Sequence, residues 1–132
     1  LDINLAASLL KTKYGDYINK DGTNNKGNKI EKNPEYKLSL GASYYAPMGV
    51  YARLDGNMIG KTYFDAQNKL AQKSYFTADA KVGYIKGNFD VYFYVKNLTD
   101  KEYFSHVRDR ARNVLATYGK GRTLGGGVRY SF

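Results

Sequence analysis

The chain has 132 residues, enough for one domain, and no cysteine, which excludes disulfides and thiolate metal sites. Mean hydropathy is −0.60, and no run approaches the ~18 apolar residues of a spanning helix, so any membrane reading must rest on strands. The net charge of +9 favours an anionic partner, whether nucleic acid, lipid phosphate or an anionic ligand.

No segment repeats at the helical period. The chain reads as six strands alternating at period two. The first is expected from Leu1 to about Tyr14, with Ile3, Leu5, Ala7 and Leu9 on one face. It starts at Leu1 without a charged-then-apolar leader, so the expectation is a processed or excised piece. A polar loop rich in Asn, Gly and Lys covers Ile18 to Glu35. Tyr36 to Tyr45 is the second strand, and Ala46-Pro47-Met48-Gly49 is a tight turn.

The third strand is expected over Val50 to Phe64, with Val50, Ala52, Leu54 and Met58 opposite Tyr51, Arg53, Asp55 and Asn57. A polar loop spans Asp65 to Ser74. Tyr75 to Tyr84 is the fourth strand, Lys86-Gly87-Asn88 the second tight turn, and Phe89 to about Leu98 the fifth strand. A long basic loop over Ser105 to Gly121 leads into the last strand, Arg122 to Phe132. There Leu124, Val128, Tyr130 and Phe132 share one parity, and Thr123, Arg129 and Ser131 the other.

Two features exceed a generic all-β pattern. The expected strands run ~10 residues or more, the length that crosses a bilayer at a tilt, against ~5–6 in globular proteins. The connections alternate long, short, long, short, long, as in outer-membrane barrels with long extracellular loops and short periplasmic turns. That rule puts Pro47, Asn88, Leu1 and Phe132 on the periplasmic side. Aromatic residues form 15% of the chain and gather at the expected rims. Tyr44, Tyr45, Tyr84, Tyr130 and Phe132 lie at one end. Tyr14, Tyr36, Tyr63, Phe64, Tyr75, Phe76, Tyr103 and Phe104 lie at the other. Two girdles around an aliphatic band are expected of a lipid-facing wall.

Val95–Phe104 (VKNLTDKEYF), then Gly119–Thr123 (GKGRT) and the terminal VRYSF, resemble the C-terminus of a TonB-dependent outer-membrane receptor. Gly27–Tyr45, Gly60–Asp65 and Tyr75–Tyr84 resemble the same family, so the likeness covers essentially the whole chain. The Asn-Leu-x-Asp-Lys-x-Tyr box carries it together with the terminal aromatic strand. The last residues are also similar to the signal read by the barrel-assembly machinery, with Gly127, Tyr130 and Phe132 in matching places. Gly125 departs from it, standing where that signal has a polar residue.

The resemblance implies an all-β fold: six antiparallel transmembrane strands forming the C-terminal part of a large, about 22-stranded, outer-membrane barrel with a plugged lumen. It implies residues 1–132 as barrel wall, with the plug domain absent from this chain. Six strands cannot close, since the smallest barrels have about eight. The implied function is part of an active transporter importing a scarce nutrient, a ferric siderophore or haem. The implied partners are the remainder of the barrel and plug, the TonB complex acting through that plug, the assembly machinery, outer-membrane lipid and lipopolysaccharide. An anionic iron chelate is the implied ligand, with no nucleic acid and no resident cofactor.

The residues also carry competing readings. The basic loop places Arg108, Arg110, Arg112 and Lys120 where an anionic chelate could meet them, or where a solvated loop meets lipopolysaccharide phosphates. His106, the only histidine, is expected to be an exposed loop residue, since adjacent Ser105 and His106 rarely face each other and no third group orients them. A lone histidine without cysteine makes no zinc site. Gly119–Gly125 has the glycines of a phosphate loop, but a strand follows and not a helix. Arg53, Asp55, Asp79, Lys81 and Arg129 are expected on the inner face, pairing across strands or meeting the plug. The rival functions are a porin-like subunit completed by oligomerisation, a soluble basic β-barrel binding nucleic acid, and an outer-membrane enzyme, for which no catalytic constellation is present.

Overall fold

Period-two alternation closes into ladders only if neighbouring strands keep the same parity on the same face. The computed structural model describes residues 1–110 and 113–132, with side chains described for 1–108 and 113–132. In chain order the strands are β1 (Asp2–Leu9), β2 (Tyr36–Tyr45), β3 (Val50–Ile59), β4 (Thr62–Tyr63), β5 (Ala71–Gln72), β6 (Tyr75–Lys86), β7 (Phe89–Lys96), β8 (Phe104–Arg110), β9 (Asn113–Tyr118) and β10 (Thr123–Tyr130). Six of them form one antiparallel sheet in the order β1-β2-β3-β6-β7-β10. Each strand lies beside its successor in this meander, and the register keeps one parity on each face.

The apolar face runs across all six strands. One row is Ile3, Ala42, Leu54, Ala80, Val95 and Leu124; another is Tyr44, Ala52, Val82, Phe93 and Gly126. These side chains have nothing over them: Leu5 is 73% exposed and Val128 68%. The buried apolar residues among those described are only Tyr51, Phe64, Ala78 and Val107. A continuous apolar face over six strands far exceeds the patch a soluble monomer leaves in water, and it fits a wall facing hydrocarbon.

The opposite face is polar. Arg53 donates to Asp55 from Nε and Nη2, both at 2.6 Å, and from Nη1 to Ser43 at 3.3 Å. The ion pair lies within one strand, two residues apart, and not across strands as the sequence suggested. Ser39 donates to Asn57, and the Tyr51 hydroxyl donates to Asp90 at 2.9 Å. Lys81 sits over the Tyr92 ring at 4.0 Å.

The expected boundaries shift where the chain is kinked or recruited into loops. The third strand ends at Ile59; Gly60 still donates to the Tyr36 carbonyl in the same register, and a Cβ there would meet the Tyr36 ring and backbone at 2.8–2.9 Å. Thr62–Tyr63 then pairs with Ala71–Gln72 in a separate small hairpin. The first strand ends at Leu9 and not near Tyr14. The basic loop is not unstructured, since Phe104–Arg110 and Asn113–Tyr118 pair as a second hairpin. Both short turns hold as expected. Gly49 (φ 92) and Gly87 (φ 58) take the left-handed conformation that two tight reversals need.

The split of faces can be tested at two adjacent aromatic positions. Phe93→Arg should cost ~2–4 kcal/mol in folding titrations of the full receptor in lipid, as for a lipid-facing arginine near the midplane. Tyr92→Arg, one residue away on the polar face, should cost much less. Equal costs would overturn the assignment of faces.

Candidate functional site

All three long connections leave the same end of the sheet, and they are bonded to one another. Loop 1 (residues 10–35) and loop 2 (residues 60–74) are joined through Asn68. The Lys29 N–H donates to Asn68 Oδ1 at 2.6 Å, and Asn68 Nδ2 donates back to the Lys29 carbonyl at 2.8 Å. Asn28 Nδ2 adds a bond to the Ala66 carbonyl at 2.9 Å. Asn68 holds a positive φ of 56°, a conformation that asparagine tolerates better than most residues. Asp65 fixes the turn beneath it, its carboxylate accepting from the Lys69 and Leu70 N–H groups. Further along, the Lys32 N–H donates to the Tyr63 carbonyl and that of Glu35 to the Lys61 carbonyl.

Loop 3 (residues 97–122) is closed at its neck by the Asn-Leu-x-Asp-Lys-x-Tyr box. Asn97 is 6% exposed and adopts φ 50°. Its backbone N–H donates to Asp79 Oδ1 at 2.8 Å. Its side chain accepts from the Lys101 N–H and donates to the carbonyls of Lys101 and Lys120. Asp100 accepts from the Arg122 N–H at 2.7 Å, which ties the start of the loop to its end. Tyr103 stacks on Tyr75 with centroids 4.5 Å apart. Gly119 lies against the Tyr103 ring, where any Cβ would collide with it. The Phe104 N–H donates to Gln72 Oε1 at 2.8 Å, joining loop 3 to loop 2.

These junctions leave a cleft of ≈ 370 Å³ where the three loops meet. Lys32 and Glu31 of loop 1, Phe64 and Asp65 of loop 2, and His106 and Arg108 of loop 3 line it. Phe64 is buried and meets His106 edge to face, with centroids 6.5 Å apart. Arg108 Nε donates to His106 Nε2 at 2.7 Å, which holds the two side chains together in the cleft. His106 is thus half-buried in a hairpin strand and bonded, not the exposed loop residue the sequence suggested. A second cleft of ≈ 330 Å³ adjoins the first, sharing Lys32 and Phe64 and extending to Tyr75, Tyr103 and Ser105. On the loop-1 side, burial raises the Tyr14 hydroxyl above its ordinary pKa, with Glu31 adding to the effect. Hydrogen bonding to Tyr63 raises that of the Lys61 ammonium.

The expected site residues scatter. Arg108 lines the main cleft. The side chain of Arg110, and Arg112 altogether, lie outside the described residues. Lys120 stands exposed at the loop neck, engaged through its carbonyl, and does not line the cleft. Lys32, Phe64 and His106 were not expected there. The sequence showed only a polar loop from Asp65 to Ser74, which says nothing of what packs beneath it. Ser105 donates to the carbonyls of Thr117 and Tyr118 and His106 is taken by Arg108, so the two form no nucleophilic pair. Among the described residues no group of three or more His, Cys, Asp or Glu is placed to hold a metal.

The aromatic girdle is real at the turn end, where Tyr44, Tyr84 and Tyr130 are exposed on the apolar face, while Tyr45 stacks on Tyr51 on the polar face. At the loop end it is mostly turned inward: Phe76 is 50% exposed on the apolar face, while Phe64, Tyr75, Tyr103 and Phe104 pack among the loops. At the terminus Tyr130 packs on Phe89 (4.8 Å) and Phe132 (5.2 Å), and Phe132 itself is fully exposed. Gly127 sits beneath Tyr92, whose hydroxyl and ring a Cβ would meet at 2.6–3.2 Å.

Comparison with known proteins fits this architecture. A family model described as "TonB dependent receptor-like, beta-barrel" matches residues 1–98. The pesticin receptor of Yersinia pestis is 33% identical over 81 residues, which cover 61% of this chain and 12% of that protein. This chain is thus a small part of the length of the curated relatives it matches. The crystal structure of the ferric yersiniabactin uptake receptor FyuA from Yersinia pestis superposes with a TM-score of 0.73 at 29% identity, covering 82% of this chain and 18% of that one. The siderophore receptor PiuA from Acinetobacter baumannii shares the fold, with a TM-score of 0.78 at 24% identity over 97% of this chain and 19% of that one.

The junction of loops 1 and 2 predicts a local effect. Asn68→Ala removes a reciprocal pair of hydrogen bonds, each worth ~0.5–1.5 kcal/mol. In hydrogen-exchange measurements, residues 28–32 and 65–70 should exchange faster, while β2 and β3 keep their protection. Unchanged exchange in both loops would refute the coupling.

Proposed function

The chain belongs to the TonB-dependent receptor β-barrel family, and from that premise we propose that it is the wall of an outer-membrane active transporter whose loop cleft takes an anionic iron chelate. Residues 1–132 are then the C-terminal portion of an about 22-stranded barrel. The plug and the remaining strands belong to the rest of the receptor, and the TonB complex acts through the plug. The long loops face the exterior, and the turns at Met48 and Gly87 face the periplasm. The ligand class is supported by the likeness to FyuA, a ferric yersiniabactin uptake receptor.

The observation that carries this reading is the junction of three loops around one cleft on a sheet whose outer face is apolar. Loops already joined lose little freedom when a ligand arrives, so less of the contact energy is spent on ordering them. Lys32 and Arg108 supply positive charge at the rim, while Phe64 and His106 supply flat apolar walls. That combination suits a planar, anionic chelate. The apolar outer face argues against the soluble nucleic-acid-binding reading, because a barrel in water would hide it.

The test uses the full receptor and a panel of ferric siderophores. Lys32→Glu and Arg108→Glu should each weaken the chelate that binds by about tenfold, equivalent to about 1.4 kcal/mol. Lys69→Glu makes the same charge change at an exposed site outside the cleft and should leave affinity near that of the parent. Equal losses in all three variants would reduce the effect to net charge and reject the cleft.

Gly127, Tyr130 and Phe132 are proposed to serve the barrel-assembly machinery, but the three should separate by experiment. Deleting Phe132 should sharply lower the receptor's outer-membrane level, while refolded material melts near the parent temperature, since one exposed rim aromatic contributes little to the finished sheet. Gly127→Ala should instead lower the melting temperature, and Tyr92→Ala should relieve that loss by removing the ring above it. A Phe132 deletion of normal abundance with a large drop in melting temperature would reverse its assignment.

A further inference from the structure

The cleft that adjoins the loop cleft differs from it in place and in charge. The loop cleft is lined by residues of the three loops alone, whereas the inner one reaches the sheet. Lys37, Ile59 and Tyr75 form one row across β2, β3 and β6, on the parity of Ser39, Asn57 and Thr77. The floor of the inner cleft is therefore the polar face at its loop end. Pro34, Phe64 and Phe104 close it from loops 1, 2 and 3. Gln72 Oε1 fastens that closure by accepting from the Phe104 N–H. The charged residues lining the loop cleft are two cations and two carboxylates. Those lining the inner cleft are Lys32 and Lys37, with no carboxylate beside them. Neither ammonium joins an ion pair among the described residues. Four rings complete the lining. Besides Phe64 and Phe104 these are Tyr75 and Tyr103, stacked with their planes 10° apart. Gly119 backs the Tyr103 ring, so this aromatic wall is fixed before a ligand arrives.

Uncompensated positive charge asks for an anion, and four rings ask for a flat apolar surface. A carboxylate meets the first demand only, because the rings would strip its water and give nothing back. An ionised aryl oxygen meets both. Its charge sits at the edge of a ring, and that ring packs offset or edge-on against tyrosine and phenylalanine. We propose that the inner cleft holds a phenolate or catecholate ring of the ferric chelate, so that the receptor selects hydroxyaryl chelates over anionic chelates without an aryl group. The volume suits one ring. A cavity of about 150 Å³ takes benzene, and the inner cleft offers ≈ 330 Å³. That leaves room for the ring and its link, but lies at the low end of the ~300–1,000 Å³ that holds a whole small molecule. The remainder of the chelate lies in the loop cleft, across the shared Lys32 and Phe64. Lys37 and Tyr75 line the inner cleft and not the loop cleft, which makes them the specificity-determining pair. This inference rests on the reading of the loop cleft as the chelate site.

The experiment uses the full receptor in detergent and two anionic probes, the ferric complex of a synthetic tripodal tris-catecholate and ferric citrate. Both carry negative charge, and only the first carries aryl rings. Affinities are measured by fluorescence quenching. The parent should bind the catecholate probe about tenfold more tightly than ferric citrate. Lys37→Gln, and Tyr75→Leu, which keeps apolar bulk without the ring, should each weaken the catecholate probe about fivefold, the scale of one aromatic or ionic contact. Ferric citrate should change less than about twofold in both, since it has no ring to lose. Lys69→Gln, outside both clefts, should change neither probe. Should Tyr75→Leu fail to fold, Lys37→Gln alters an exposed side chain and carries the test. No binding of the catecholate probe, preference for ferric citrate, or equal changes for both probes in Lys37→Gln, including none, would each overturn the proposal. Arg108→Glu, measured on the ferric chelate that binds best, separates the two readings. Loss there with Lys37→Gln silent removes the aryl subsite and leaves the loop cleft standing, whereas no loss at Arg108 removes both.

Discussion

Hydrocarbon on one face of the sheet is the constraint from which the rest follows. An unpaired backbone amide or a bare charge on that face would have no water to turn to. Every strand therefore bonds along the ladder, and the charged residues sort onto the other parity. The sorting concentrates Arg53, Asp55, Asp79 and Lys81 on one surface, where each needs compensation. Arg53 finds Asp55 two residues away, Asp79 accepts from the backbone of Asn97, and Lys81 lies over the Tyr92 ring. The glycines of the polar face answer a crowding problem on the same surface. Tyr51 lies over Gly83, Tyr92 over Gly127 and Tyr94 over Gly125, and at each a Cβ would strike the ring. Small residues on one strand make room for large rings on the next, which covers the exposed glycine backbone.

The same logic gives the Asn97–Tyr103 box a mechanical meaning. A loop of some two dozen residues leaving a sheet would splay without a closure at its neck. Asn97 turns the chain with a positive φ and bonds to both sides of the neck, Asp100 binds the returning strand, and Tyr103 stacks on the neighbouring strand. Three positions of the box therefore do one job. The anchor reaches further still, because Asp79 links the neck to β6. The motif that resembles the family is thus a structural clamp that fixes where loop 3 stands over the cleft.

How much was legible in the sequence follows the range of the interactions. The six long strands and both tight turns were readable because alternation and glycine are local signals. Gly60 was not, because its requirement comes from Tyr36, twenty-four residues away. The hairpin of β8 and β9 was missed because both segments are short and weakly patterned, and β8 is charged. Pairing and the packing of Val107, Phe104 and His106 against the other loops hold them in place. The inward aromatics of the loop end misled for a related reason. Tyr and Phe at a strand end suit a lipid belt and a loop core equally, and only the partners decide. The cleft was least legible, since Lys32, Phe64 and His106 meet only after Asn68 and Gln72 have joined loops far apart in sequence.

The charge of the cleft sharpens what it can recognise. A count of basic residues in loop 3 suggests a strongly positive surface, but the structure divides that charge. Lys120 stands at the neck outside the cleft, Arg108 is partly committed to His106, and Lys32 shares the rim with Glu31 and Asp65. Lys32 and Arg108 are matched by Glu31 and Asp65, so the charged residues lining the cleft sum to zero, and charge there cannot by itself hold an anion. What distinguishes the cleft from any basic loop is the wall made by Phe64 and His106, which meet edge to face. Long-range charge brings an anionic ligand toward the loops, and flat apolar contact together with two placed cations decides whether it stays. Discrimination among anionic chelates should then depend on the shape of the ligand's organic periphery more than on its total charge.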